Sequence, residues 1–122
     1  MKTALLSTGN LLIKSKVSAM LNELGLKLVT MRANDEMLTL LQEYQPVIII
    51  LDLGRDGESA VKRIQELRGG AVGYDGVILC FGPHVQTELL QSAESAGADI
   101  VIPNSVFSAR GGKIIEQSLN IH

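Results

Sequence analysis

The side chains best placed to do chemistry fall in four short stretches, each at the end of an apolar run. Ser7-Thr8-Gly9-Asn10 follows Ala4-Leu5-Leu6, and Asp52 closes Val47-Ile48-Ile49-Ile50-Leu51 with Gly54-Arg55-Asp56-Gly57-Glu58 behind it. Cys80-Phe81-Gly82-Pro83-His84 and Pro103-Asn104-Ser105 end the other two. Asp52 is a carboxylate that either reacts or accepts hydrogen bonds from loop N–H groups near Gly9 or Gly82. Thr8, Gly9 and Asn10 could cradle a small anion where a helix begins and N–H groups are free. Capping of that helix by Thr8 or Asn10 is the simpler role, and no GxGxxG or GxxxxGK[ST] pattern points to a nucleotide. Cys80 could serve as a nucleophile or redox sensor, but its place inside an apolar strand predicts an inert, buried thiol. No Ser-His-Asp spacing or metal-ligand cluster accompanies His84, so a surface-loop histidine is expected rather than a phosphohistidine or general base. Arg55 either pairs with Asp52 or is a solvated loop residue. His122 is terminal and expected to be disordered.

Those stretches need elements to hold them. The 122 residues fit one domain, 1–122, and 46% of them are apolar, enough for a core. Aromatic residues contribute only 3%, so Leu, Ile, Val, Ala and Met must build that core. The net charge is −2 and the basic residues are scattered, which argues against direct nucleic-acid binding. Two Tyr, two Phe and no Trp leave little material for base stacking. A single cysteine excludes an internal disulfide and a CxxC site. The start, Met1-Lys-Thr-Ala-Leu-Leu-Ser-Thr8, has too short an apolar run for a signal peptide. The longest pure apolar run, Val47 to Leu51, is far below the roughly 18 residues of a membrane span. A soluble cytoplasmic protein without membrane attachment is expected.

Hydrophobic spacing alternates between strand and helix along the chain. Ala4-Leu5-Leu6 predicts the first strand, and Ile13, Val17, Met20, Leu21 and Leu24 a helix stopped by Gly25. Leu26 to Met31 predicts the second strand. Asn34 is the expected N-cap of the next helix, with Asp35 and Glu36 in its first turn, Met37, Leu38, Leu41 and Tyr44 on its buried face, and Pro46 at its end. Val47 to Leu51 is apolar on both faces, as a central parallel strand should be. Val61, Ile64 and Leu67 mark a helix stopped by Gly69-Gly70, and Val77 to Phe81 a fourth strand broken by Gly82-Pro83. Val85, Leu89, Leu90, Ala93 and Ala96 mark a helix closed by Gly97, and Ile100-Val101-Ile102 a fifth strand. Ile114, Ile115 and Leu119 suggest a last helix, whose start Gly111-Gly112 obscures. The expected fold is α/β, a flavodoxin-like, doubly wound five-stranded parallel sheet of order 2-1-3-4-5 with helices on both faces. Sites in such sheets form beyond the carboxyl ends of the strands.

Several segments, in order, resemble the receiver domains of response regulators. Pro46-Val-Ile-Ile-Ile-Leu-Asp52-Leu53 resembles their third strand, and Asp56-Gly57 the pair that often opens their third helix. Leu21-Asn-Glu-Leu-Gly25 and Ala93-Glu-Ser-Ala-Gly97-Ala98-Asp99 resemble the end of the first helix and the approach to the fifth strand. The resemblance makes Asp52 the equivalent of the phosphoacceptor. It also implies two acidic residues for Mg²⁺ at Thr8 and Gly9, a Ser or Thr at Gly82, and a Lys at Asn104, or at Ile102 if Pro103 is matched to the proline after that Lys. None of these residue types is present.

Phosphoryl transfer depends on positioning and charge neutralisation by a metal and a cation, and Mg²⁺ usually takes one or two protein carboxylates. Asp52 would stand alone unless Asp56 or Glu58 folded back over it. The resemblance with these departures implies a non-enzymatic two-component-type signalling module, a degenerate receiver acting by protein–protein interaction and holding no cofactor. Its partner would be another signalling protein or a second copy in a weak homodimer, met through the region Val85 to Leu119. The alternatives are a genuine receiver phosphorylated on Asp52 with Mg²⁺ in an atypical site, and a flavodoxin-like domain that binds a small anion or nucleotide.

Overall fold

The computed structural model describes residues 1–32 and 35–120. Its elements alternate as β1 (Thr3–Ser7), α1 (Leu11–Glu23), β2 (Lys27–Thr30), α2 (Met37–Tyr44), β3 (Ile48–Asp52), α3 (Gly57–Arg68), β4 (Val77–Gly82), α4 (Thr87–Ala96), β5 (Ile100–Pro103) and α5 (Asn104–Ser118). All strand pairs are parallel, in the order β2-β1-β3-β4-β5. This is the flavodoxin-like topology that the alternating pattern predicts.

The β3 strand lies at the centre of this order and is apolar on both faces. Ile48, Ile49 and Ile50 are fully buried. Ile49 and Leu51 join Leu5, Ile64, Leu67, Ile78 and Ala93 on the face covered by α2, α3 and α4. Ile48 and Ile50 join Leu6, Val17, Leu21, Leu79 and Phe107 on the face covered by α1 and α5. Burying such a side chain is worth roughly 1.5–3 kcal/mol, so register slips that expose the Ile run are strongly disfavoured.

Helix ends follow local chemistry. Gly25 takes φ +73°, and the Leu26 N–H bonds the Leu21 carbonyl at 2.9 Å, closing α1 as a C′ glycine does. Gln45 turns left-handed at φ 47° just before Pro46, ending α2.

Four expectations need correction. The α2 helix begins at Met37, after Asp35 and Glu36, and the Asp35 carboxylate accepts the Arg32 N–H at 2.8 Å. The predicted cap Asn34 and the terminal His122 lie outside the described residues. On α2, Leu38 is 41% exposed and Leu40 packs inward in its place. Val85 precedes α4 and is exposed, so it is no part of that helix's buried face. The α5 helix runs unbroken through Gly111-Gly112. A Cβ on Gly111 would come within 3.1 Å of Phe107 and 3.2 Å of Met20, so glycine lets α5 press against α1. The close approach offsets the roughly 1 kcal/mol that a helical glycine costs relative to alanine.

At the amino-terminal pole of the sheet, Arg68 ties three segments together. Its guanidinium donates to the carbonyls of Gly97 (3.0 Å), Tyr74 (2.8 Å) and Gly76 (2.9 Å) and to Asp99 Oδ2 (2.6 Å). The same Asp99 oxygen accepts the Ile78 N–H at 2.8 Å. Arg68→Ala strips these acceptors of their donor and is expected to lower stability by about 2 kcal/mol in urea unfolding. A loss below about 0.5 kcal/mol, the range of an ordinary surface change, would show the clamp to be idle.

Candidate functional site

Parallel register sets the geometry around Asp52. Ser7 pairs with Leu51 and Asp52 with Phe81, so Thr8 emerges beside the Asp52 carboxylate. The Thr8 hydroxyl donates to Asp52 Oδ2 at 2.6 Å, and the Gly54 N–H donates to Oδ1 at 2.8 Å. Both carboxylate oxygens are thus held by neutral donors. The expectation of N–H donors near Gly9 or Gly82 is corrected: the nearer loop residue Gly54 and a hydroxyl supply them. Thr8 Oγ1 also accepts the Asn10 N–H at 3.1 Å. Asn10 Oδ1 accepts the N–H groups of Leu12 (2.9 Å) and Ile13 (3.2 Å), so Asn10 caps α1 and Thr8 stiffens the loop before it.

Arg55 lies exposed over Gly9, whose absent Cβ would stand 3.2 Å from Nη1. No ion pair joins Arg55 to Asp52. Asp56 does not fold back as a metal ligand either: its Oδ1 accepts the Ser59 N–H at 3.3 Å and caps α3. Glu58, in the first turn of α3, lines the groove toward α4. Asn104 opens α5 and lines a crevice of about 490 Å³ with Asp52, Gly9, Asn10, Arg55 and Pro83. Ile102 packs in the core, so Asn104 is the residue brought to the place beside Asp52.

Gly82 ends β4 and is buried. A Cβ there would stand 3.0 Å from the Leu53 Cβ and 3.4 Å from Leu90. Leu53 is itself pinned, its N–H bonding the Phe81 carbonyl at 2.8 Å. No room is left for a hydroxyl side chain without movement of Leu53. Behind this position Phe81 stacks on Phe107 of α5, the rings parallel to within 3° at 4.2 Å.

Two residues escaped the sequence reading. Arg32 and Arg63 line a second pocket, of about 430 Å³, that also takes in Thr8, Asp52 and Arg55. The spacing Ser59, Ala60, Arg63 on α3 is an i, i+1, i+4 pattern that places Arg63 on the strand-end side of that helix. His84 is exposed in the loop between β4 and α4.

Mg²⁺ at an acceptor of this kind needs further carboxylates, and the donor set does not fit it. Thr8 contributes a hydroxyl already bonded to Asp52, and Gly9 contributes no side chain. Among the described residues no group of three or more His, Cys, Asp or Glu side chains could hold a metal ion. No helix among them is long and apolar enough to cross a membrane.

No family model matches the sequence, and no curated protein is recovered as a relative. Solved structures are nonetheless similar over nearly the whole chain. A response regulator from Thermotoga maritima superposes with a TM-score of 0.79 at 16% identity, covering 98% of each chain. The CheY-like protein tadZ from Pseudomonas aeruginosa gives 0.81 at 16% identity, covering 97% of this chain and 99% of its own. The chemotaxis response regulator CheY4 of Vibrio cholerae gives 0.78 at 19%, covering 97% and 98%. The fold is therefore that of CheY-like receiver domains.

Burial pushes the Cys80 thiol up to about 12 from its ordinary 9.0. The folded chain is expected to resist iodoacetamide at pH 8 and to be alkylated once unfolded in guanidinium. Because the folded pKa is raised, the associated stability is full below pH 9 and declines as pH rises toward 12. Rapid labelling of the native chain would contradict the buried placement.

Proposed function

We propose that this chain is a signalling module of the pseudo-receiver type, which works by contact with another protein and not by Mg²⁺-dependent phosphorylation of Asp52. One observation carries this reading. The Asp52 carboxylate is bonded on both oxygens, to the Thr8 hydroxyl and the Gly54 N–H. Receiver chemistry needs that carboxylate to face a metal and attack phosphorus. A carboxylate so held, with Thr8 and Gly9 in place of metal-binding acids and Gly82 and Asn104 where a hydroxyl and an ammonium would be needed, lacks the metal ligands and the lysine of receiver chemistry.

The surface formed by α4, β5 and α5 supports contact by protein. The β5 strand is an edge of the sheet, with Ile100, Val101, Ile102 and Pro103 all partly exposed. Glu88 and Glu94 stand on α4, and Arg110 and Lys113 on α5, all exposed. Glu88 and Glu94 on one flank and Arg110 on the other, where Lys113 pairs with Glu116 at 3.9 Å, suit a twofold contact in which each copy's α4 faces its partner's α5.

Two measurements test the reading. Intact mass after incubation with acetyl phosphate, with and without Mg²⁺, should show no Mg²⁺-dependent adduct on Asp52. An adduct present in wild type and lost in Asp52→Asn would instead establish a working receiver. For the surface, sedimentation velocity should show concentration-dependent association of the wild-type chain, and Arg110→Glu should weaken it. Association unchanged by this charge reversal would move the contact to another face.

A further inference from the structure

A cavity of about 320 Å³ between α1 and α5 is largely apolar and has a single charge among its lining residues. Phe81 and Phe107, stacked at 4.2 Å and only 1% and 4% exposed, form its inner wall. Ile13 and Met20 line it from α1, and Met20 reaches in beside Gly111, where a Cβ would meet its Sδ and Cε at 3.2 Å. The charge is Lys16, between those two residues on α1. Its ammonium donates to the Ser108 hydroxyl of α5 at 2.9 Å, bridging the two helices. This contact uses one of three N–H donors and meets a neutral acceptor. No ion pair joins Lys16 to a carboxylate among the described residues, and no Asp or Glu lines the cavity. Asp52 belongs to the neighbouring crevice, which shares Ile13 and Asn104. Lys16 and Ser108 stand about one helical turn further along α1 and α5 from that edge of the sheet.

From the apolar wall and an ammonium with no carboxylate partner we infer that this cavity binds a small monocarboxylate carrying one aromatic ring. Small-molecule sites join an apolar lining to a few polar groups that fix orientation, and this cavity has that make-up. Its volume lies near the lower end of their roughly 300–1,000 Å³ range, so the ligand is small. A ring packs against Phe107 and the Met20 thioether, both of which favour aromatic contacts. The carboxylate takes the remaining Lys16 donors in charge-assisted hydrogen bonds. One lysine matches one negative charge, and Asp52 in the next crevice disfavours a second. Binding here forms no covalent bond and involves neither Asp52 nor Arg110.

The test is thermal unfolding and titration calorimetry with phenylacetate and with phenylacetamide, its uncharged counterpart, at fixed ionic strength. Phenylacetate should raise the unfolding midpoint saturably. Phenylacetamide should bind about fivefold more weakly, the effect of one exposed charge contact. Lys16 is exposed, so Lys16→Gln should keep the ligand-free midpoint and weaken phenylacetate to the level of phenylacetamide. Lys14→Gln, on the same helix but outside the cavity, should leave both affinities unchanged. An effect of phenylacetate no larger than that of sodium acetate at equal ionic strength would overturn the assignment. So would phenylacetate binding undiminished in Lys16→Gln, or weakened as much in Lys14→Gln. Equal wild-type affinity for phenylacetate and phenylacetamide would overturn the carboxylate class.

Discussion

The structure depends on burial of β3 from both sides. An all-parallel sheet is stable only when helices cover each face, because neither side of a β-branched apolar strand tolerates water. Ile48 to Leu51 leave no polar face, so α1 and α5 must pack on one side and α2, α3 and α4 on the other. Once that strand is fixed, its first polar residue, Asp52, emerges at the carboxyl edge among the loops after β1, β4 and β5. The place of the site is thus a by-product of where the hydrophobic run stops.

The carboxyl edge of the sheet presents the Thr8 hydroxyl and the bare backbone of Gly9, and the loop after β3 carries Arg55 over that glycine. Asp52 bonds both Thr8 and Gly54, which makes it a structural joint between the loops after β1 and β3. The two poles of the sheet are treated alike in this respect: at the far end Asp99 serves as a joint for Arg68 and the Ile78 N–H. In both cases a carboxylate accepts from a donor distant in sequence, Thr8 for Asp52 and Arg68 and Ile78 for Asp99.

Much of the fold was legible because its signals are local. Five apolar runs separated by helical spacing, with Gly25, Gly69 and Gly97 at helix ends, are enough to predict order and topology. The misreadings occurred where tertiary packing overrode a local cue. Gly111-Gly112 reads as a break in sequence, yet contact with Met20 and Phe107 makes it part of a continuous helix. Leu38 reads as a core position, yet the later start of α2 rotates Leu40 inward. At the site, Thr8 and Gly9 can be picked out by counting back from Gly25, and Gly82 and Asn104 by the strands they end or follow, but their partners cannot. A hydroxyl-to-carboxylate bond across 44 residues, or a pocket drawing Arg32 and Arg63 together, leaves no periodic trace.

The packing of Gly82 against Leu53 also constrains which neighbouring sequences are accessible. A hydroxyl at position 82 adds a Cβ that meets the Leu53 Cβ at 3.0 Å, an atom that no rotamer change can withdraw. The two positions are therefore coupled: a side chain at 82 requires Leu53 to give way by a few tenths of an ångström. A hydroxyl introduced at 82 must thus be accommodated at position 53, whatever stands at Thr8 and Gly9.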